Sequence, residues 1–251
     1  MKVAVDGSGP GLVLVHGAGP GAEVTWGGLV DRFTDQRTVV RPDLSGSAAA
    51  PHDEGGPLSL ELLAGEVVAA IEDAGEQVAP VDLVGFSLGA PVASAVAATR
   101  PDLVRRLVLV AGFSRTDEYL RNLATVWLRM SDDAKAFGRF GALTAFGRDF
   151  LERLGREGVD QLVPNMRPAP SLLRQLDLIL RLDVGNLLPR IEAETLVIGC
   201  AEDRTAPPAN ARELHAAIAT SRYAEIDSGH VVMFEQPDRL AELVREFILA
   251  A

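Results

Sequence analysis

Residues 81–98 read Val81-Asp82-Leu83-Val84-Gly85-Phe86-Ser87-Leu88-Gly89-Ala90, then Pro91-Val92-Ala93-Ser94-Ala95-Val96-Ala97-Ala98, and this stretch decides the fold. An apolar run enters a Gly-x-Ser-x-Gly pentapeptide, and a small-residue helical run leaves it. A serine on such a strand-to-helix turn sits on a strained backbone with its hydroxyl exposed above the sheet. Gly85 and Gly89 suit the turn because a side chain would clash where strand and helix nearly touch. The N–H of Leu88 opens the helix and faces whatever Ser87 attacks, so it can stabilise a developing oxyanion. The pentapeptide alone is common. Strand, turn and Ala-rich helix in register make it specific.

Outward from this turn, short β-branched runs alternate with helical patterns, which predicts a mostly parallel sheet covered on both faces. Strands are expected at 2–5, 12–15, 38–41, 81–85, 107–110, 195–199 and 223–226. The continuous apolar run Leu107-Val108-Leu109-Val110 fits a strand buried on both faces. Helices are expected near 25–33, 58–74, 88–99, 208–219 and 237–249. The last of these sets Leu240, Leu243, Val244, Phe247 and Ile248 on one face. The alternation stops after Gly112 and resumes after Arg190. Between them lie helical patterns at 117–130, 132–140, 144–154 and 171–180, with Phe113, Tyr119, Trp127, Phe137, Phe140, Phe146 and Phe150 among them. The expected organisation is a core of 1–112 and 191–251 with a helical cap inserted at 113–190. Trp127 is read as lining a pocket under the cap, against the alternative that it packs in the cap's own interior.

Ser87 needs a base to take its proton and a third group to hold that base. Four histidines are available. His215 lies mid-helix and reads as a packing or surface residue; His52, in Pro51-His52-Asp53-Glu54-Gly55-Gly56, reads as a solvated loop residue. His230 follows the last strand in Ile226-Asp227-Ser228-Gly229-His230 and precedes the final helix. A loop there projects over the carboxyl ends of the strands, where ligands collect in open α/β sheets. His230 is therefore the expected base. The orienting acid belongs on the loop after strand 195–199, in Cys200-Ala201-Glu202-Asp203-Arg204-Thr205-Ala206-Pro207. Asp203 is the choice and Glu202 its competitor. Cys200 has no histidine placed to activate it and reads as a buried thiol. The loop His16-Gly17-Ala18-Gly19-Pro20-Gly21 lets backbone approach a ligand closely, and the N–H of Ala18 is the expected partner of the Leu88 N–H in an oxyanion hole. His16 itself reads as a loop-fixing residue. No lysine follows these glycines, which argues against a phosphate cradle.

These features together resemble the α/β-hydrolase superfamily over essentially the whole chain. The matching residues are His16-Gly17 after a strand, Gly85-x-Ser87-x-Gly89, Asp203 with Pro207 behind it, and Gly229-His230 before Glu235-x-Pro237. The order Ser…Asp…His is the one expected of that fold. Two departures stand out. Many relatives carry D-x-x-G-x-G-x-S where this chain reads Asp43-Leu44-Ser45-Gly46-Ser47-Ala48-Ala49-Ala50, and the N-terminus is short for the two leading antiparallel strands usual in the superfamily. His16-Gly17-Ala18-Gly19-Pro20-Gly21 followed by Trp26 is similar to meta-cleavage product hydrolases, which cut carbon–carbon bonds in vinylogous diketones. Those enzymes usually carry asparagine before the nucleophile and tryptophan after the histidine, where this chain has Phe86 and Val231. The apolar Phe86 looks more like carboxylesterases, enol-lactonases and haloperoxidase-like relatives. Haloalkane dehalogenase and epoxide hydrolase resemblances demand an aspartate where Ser87 stands.

The expected activity is hydrolysis of an ester, thioester or lactone of a small, largely apolar substrate through an acyl-enzyme, with Gly17, Phe86, Trp127 and Val231 around the substrate. The alternatives are carbon–carbon hydrolysis on the same triad and a non-hydrolytic, cyclase-like or binding use of the pocket. No metal or organic cofactor is expected. The net charge of -11 argues against nucleic acid or an anionic membrane as partner. No apolar stretch reaches the ~20 residues that span a bilayer. With one cysteine, no internal disulfide is possible, and a cytoplasmic location is expected. No sequence feature fixes an oligomeric state.

Overall fold

The structure is a computed structural model that describes residues 2–51, 56–75 and 77–250; His52 lies outside the described residues. Seven strands form one sheet: β1 (Val3–Gly7), β2 (Gly11–Val15), β3 (Thr38–Pro42), β4 (Val81–Phe86), β5 (Val104–Val110), β6 (Glu194–Cys200) and β7 (Ser221–Ile226). Their order is β1-β3-β2-β4-β5-β6-β7. Only β1 runs antiparallel to its neighbour, pairing Val3–Gly7 with Pro42–Thr38. The α/β architecture is the one expected, and the sheet has one leading antiparallel strand. β4 is central and buried throughout, with Gly85 opposite Val15 on one side and Leu109 on the other.

The helices in chain order are α1 (Ala22–Trp26), α2 (Leu60–Asp73), α3 (Gly89–Thr99), α4 (Glu118–Arg129), α5 (Ala134–Ala145), α6 (Arg148–Leu162), α7 (Pro170–Ile179), α8 (Pro208–Ala217), α9 (Val232–Glu235) and α10 (Pro237–Leu249). The helix expected at 25–33 is α1 followed by a 3₁₀ turn over Gly27–Arg32. Gly27 and Gly28 there favour a helix poorly and hold the tighter turn instead. Two apolar layers sandwich the sheet. One packs α2, α3 and α8 against it through Val67, Ile71, Val92, Val96 and Leu214. The other packs α10 and the Trp26 region against it through Trp26, Phe33, Leu240, Val244 and Ile248.

Helices α4 to α7 lie between β5 and β6. Their two ends meet at an antiparallel stem: Arg115 bridges Asp183, Thr116 N–H donates to Leu182 O at 2.9 Å and Val184 N–H to Ser114 O at 2.7 Å. Asp117 and Asp133 cap α4 and α5 by accepting N–H groups of their first turns. The arm expected at 144–154 is divided differently. α5 continues to Ala145, and α6 starts after Gly147 and kinks at Gly155, whose φ is 65°.

At the amino end of β4, Asp82 is 0% exposed and accepts from Arg37 Nε at 3.1 Å and from Arg105 Nε and Nη2 at 3.0 and 2.7 Å. Arg37 also donates to Ile248 O at 2.8 Å, where the carbonyl end of α10 favours a cation. One buried carboxylate thus ties the central strand to the last helix. Removing it leaves two guanidinium groups facing a low-dielectric site. Asp82→Ala is therefore expected to cost about 3 kcal/mol or more of stability, read as a lowered urea midpoint. An unchanged midpoint would show that both arginines turn out to solvent at no cost.

Candidate active site

The strand-to-helix turn forms because two glycines let backbones touch and a third leaves room for the side chains of the turn. A Cβ on Gly85 would stand 2.3 Å from Gly89 O, and one on Gly89 would stand 2.5 Å from Val15 O. A Cβ on Gly17 would meet the Phe86 ring at 2.9 Å and Ser87 Cβ at 3.0 Å. Squeezed between strand and helix, Ser87 takes φ 51°, in the left-handed region that β-carbon-bearing residues avoid. Its own N–H is satisfied by Val110 O at 3.0 Å, and its carbonyl accepts from Ala90 N–H at 2.9 Å. These two bonds hold the strained turn while the side chain faces away from the core.

His230 Nε2 lies 2.9 Å from Ser87 Oγ, and His230 Nδ1 lies 2.7 Å from Asp203 Oδ2. The three residues are 6%, 8% and 4% exposed in the order His230, Ser87, Asp203, so the chain of hydrogen bonds is largely shielded from water. The other carboxylate oxygen, Asp203 Oδ1, accepts the N–H groups of Thr205 and Ala206 at 2.8 Å each. Those two bonds leave Oδ2 for the imidazole. A carboxylate only accepts, so Nδ1 carries the proton and Nε2 is left to accept from the Ser87 hydroxyl.

Glu202, the competing acid, is engaged elsewhere. Its Oε2 accepts Arg148 N–H at 2.8 Å, at the first turn of α6. Glu235 does the same one residue earlier: Oε1 accepts Gly147 N–H at 3.0 Å and Oε2 accepts Gly229 N–H at 3.1 Å, next to His230. Val231 N–H closes the junction on Ala145 O at 3.2 Å. Two carboxylates at the amino end of α6 complement its dipole. They join it to the loops that carry Asp203 and His230.

The glycine loop after β2 is fixed by His16, which is fully buried. Nδ1 donates to Gly17 O at 2.6 Å and Nε2 accepts Leu44 N–H at 2.9 Å. With both ring nitrogens occupied and burial pulling its pKa down, His16 stays neutral and holds the loop. Among the described residues neither Ala18 N–H nor Leu88 N–H has an acceptor, while Gly19 N–H beside them donates to Gln175 Oε1 at 2.8 Å. Phe86 stacks obliquely on His230, ring centres 5.0 Å apart, and edge-on to Trp26. Trp127 makes its ring contacts inside the helical insertion, with Phe137 at 5.5 Å and Phe140 at 5.9 Å. Burial and the nearby Asp203 carboxylate push the Cys200 thiol well up, which keeps it protonated and unreactive. His215 bonds Ser221 Oγ at 2.8 Å on the far side of α8.

The sequence reading missed Gln175 and the bonding roles of Glu202 and Glu235 at the start of α6. Gln175 did leave a signal: a long polar residue among Leu172, Leu176 and Ile179 on the apolar face of α7.

Residues 12–243 match the profile of the Alpha/beta hydrolase family. The chain is 41% identical to pyrrolizixenacetamide deacetylase of Xenorhabdus hominickii, covering 100% of this chain and 95% of that one. It is 30% identical to the pimeloyl-[acyl-carrier protein] methyl ester esterase of Methylococcus capsulatus, covering 100% and 99%. In fold it is similar to MGS-M2, an alpha/beta hydrolase enzyme from a Medee basin deep-sea metagenome library, with TM-score 0.91 and 21% identity over 100% of this chain and 94% of that one.

A methyl group at residue 85 has no room against backbone that cannot retreat. Gly85→Ala is expected to prevent the turn from closing, giving insoluble protein or a loss of native circular dichroism. A folded Gly85→Ala variant would show that α3 can shift away from β4.

Proposed function

The chain belongs to the alpha/beta hydrolase family, and from that premise we propose that it removes a short acyl group, acetyl foremost, from a small, largely apolar molecule through an acyl-enzyme on Ser87. The unbroken hydrogen-bond chain from Asp203 through His230 to Ser87 carries this reading. The full-length likeness to a deacetylase supports the short acyl group.

In the first half-reaction Ser87 Oγ attacks the acyl carbonyl while its proton passes to His230 Nε2. Asp203 then holds an imidazolium, and its charge offsets the new positive one. The carbonyl electron pair moves onto oxygen, where the free N–H groups of Ala18 and Leu88 are the donors we assign to it. Collapse of this intermediate breaks the bond to the leaving group, which departs with the proton that His230 took from Ser87. In the second half, water gives a proton to His230 and attacks the acyl-Ser87 carbonyl, and the proton returns to Ser87 as the acid departs. Phe86, Gly17 and Val231, packed beside the triad, are assigned to the acyl side of the pocket.

Helices α4 to α7, within 113–190, act as a cap over the carboxyl ends of the strands, with 1–112 and 191–251 as the core. The bonds from Gly147, Arg148 and Gly19 to core and cap partners support this division. Trp127, set against Phe137 and Phe140, is assigned to the interior of that cap. No helix among the described residues is long and apolar enough to cross a membrane. A strongly acidic chain with a single buried cysteine fits a small-molecule substrate met in the cytoplasm.

A panel of acetyl esters, N-acetyl amides of small heterocycles, longer acyl esters and a vinylogous diketone tests the reading. Acetyl substrates are expected to turn over fastest. Ser87→Ala is expected to abolish turnover without unfolding the protein, and Asp203→Asn to lower it by about 10⁴. Glu202→Gln, which keeps an acceptor for Arg148 N–H, is expected to change it little. Turnover confined to the diketone, or an active Ser87→Ala variant, would overturn the proposal.

A further inference from the structure

Gln175 is 0% exposed, yet its side chain is long, polar and flexible. Such a group is stable in a protein interior only when its amide is partnered. Its Oε1 accepts Gly19 N–H at 2.8 Å, and its Nε2 donates to Ser45 O at 3.4 Å. The side chain reaches from α7 to the loops after β2 and β3, crossing 156 residues of sequence to Gly19. Gly19, with φ 121°, is gripped on its other side as well, because its carbonyl accepts Ala48 N–H at 2.9 Å.

Between these anchors lies Ala18. A trans peptide is planar, with its C=O and N–H pointing in opposite directions. His16 holds the Gly17 carbonyl, so the N–H of Ala18, in the same peptide plane, is directed away from His16. The next peptide plane is held by Gln175 through Gly19 N–H. The plane that carries the Ala18 N–H is thereby held by the core, and the plane that follows Ala18 is held by α7.

We propose that Gln175 is a positioning residue of the oxyanion hole, so that the helical insertion completes the machinery that it covers. This rests on the reading of Ala18 N–H as an oxyanion donor. Without Gln175 the Gly19 amide would be left unpaired, and the loop around Ala18 would lose its tie to α7 and be held by His16 and Ala48 alone. Substrate binding would survive, but the donor would stray from the place where negative charge develops. The effect therefore belongs to kcat, not KM.

Three variants test this: Gln175→Met, of similar size with no strong hydrogen-bonding group; Gln175→Asn, which withdraws the amide by one methylene; and Gln175→Glu, which keeps an acceptor for Gly19. For each, kcat and KM on an acetyl ester are measured. So is the inhibition constant of a trifluoromethyl ketone, which adds to Ser87 and places an oxyanion in the hole. Labelling by a fluorophosphonate and the circular dichroism spectrum accompany them. Losing an oxyanion donor outright costs about 10²–10³ in rate, and a misdirected one is expected to cost about 10–100-fold. Gln175→Met and Gln175→Asn should show that loss in kcat and in ketone affinity with KM nearly unchanged, and Gln175→Glu should recover most of it. If Gln175→Met does not fold, Gln175→Asn carries the test. A folded variant of either kind with wild-type kcat and ketone affinity would overturn the role of Gln175. Wild-type protein that fluorophosphonate fails to label at Ser87 would instead overturn the acyl-enzyme reading beneath it.

Discussion

The structure depends on one close approach: the end of β4, the start of α3 and the end of β2 meet with no side chains between them. Gly85 and Gly89 give up packing so that these backbones touch, and Gly17 makes room for the Phe86 ring and Ser87 Cβ. The contact forces Ser87 into the left-handed region, a strain of order 1–3 kcal/mol that only a surrounding framework can hold. That framework is present. β4 is buried along its length, and its neighbours β2 and β5 are paired with it up to Gly85 and Phe86. The same squeeze brings the glycine loop against the turn, so Ser87 and the loop are set by a single packing event.

Charge is distributed along the sheet axis with different purposes at its two ends. At the amino end, Asp82 collects Arg37 and Arg105 in a network that, through Arg37, joins strand to helix. At the carboxyl end, Asp203 shares its oxygens between two backbone amides and the imidazole. Both carboxylates are buried, but only the second has a histidine between it and a hydroxyl. Burial alone does not make a site; the partner does.

The helical insertion is bound to the core by polar contacts more than its aromatic content suggests. Glu202 and Glu235 cap α6 from the acid and histidine loops, and Gln175 reaches the glycine loop from α7. Each contact ends on a backbone amide; that of Gly19 is buried, where an unpaired amide costs about 1–3 kcal/mol, and that of Arg148 is exposed. The insertion and the loops around Asp203 and His230 are therefore tied to one another by hydrogen bonds. A lid resting on apolar contacts alone would have no such link to the residues beneath it.

The sequence by itself determined what local chemistry encodes. Strand, glycine turn and helix around Ser87 are contiguous, so their period and their glycines announce the turn. Seven strands are legible from β-branched runs, and His230 from its place between the last strand and the last helix. Element boundaries were less legible: α5 and α6 divide at Gly147 because carboxylates from distant loops cap α6 there. Asp203 and Glu202 are neighbours of equal charge on one loop, and sequence favoured Asp203 by position alone. The fold separates them physically, since the shorter side chain turns back on Thr205 and Ala206 beside His230 while the longer one reaches Arg148. Gln175 stood out as a polar residue on the apolar face of α7, but its partner lay beyond reach for the same reason. Its partner Gly19 is brought to it only when α7 folds against the loop after β2, and a hydrogen bond between residues so far apart in the chain has no local signature.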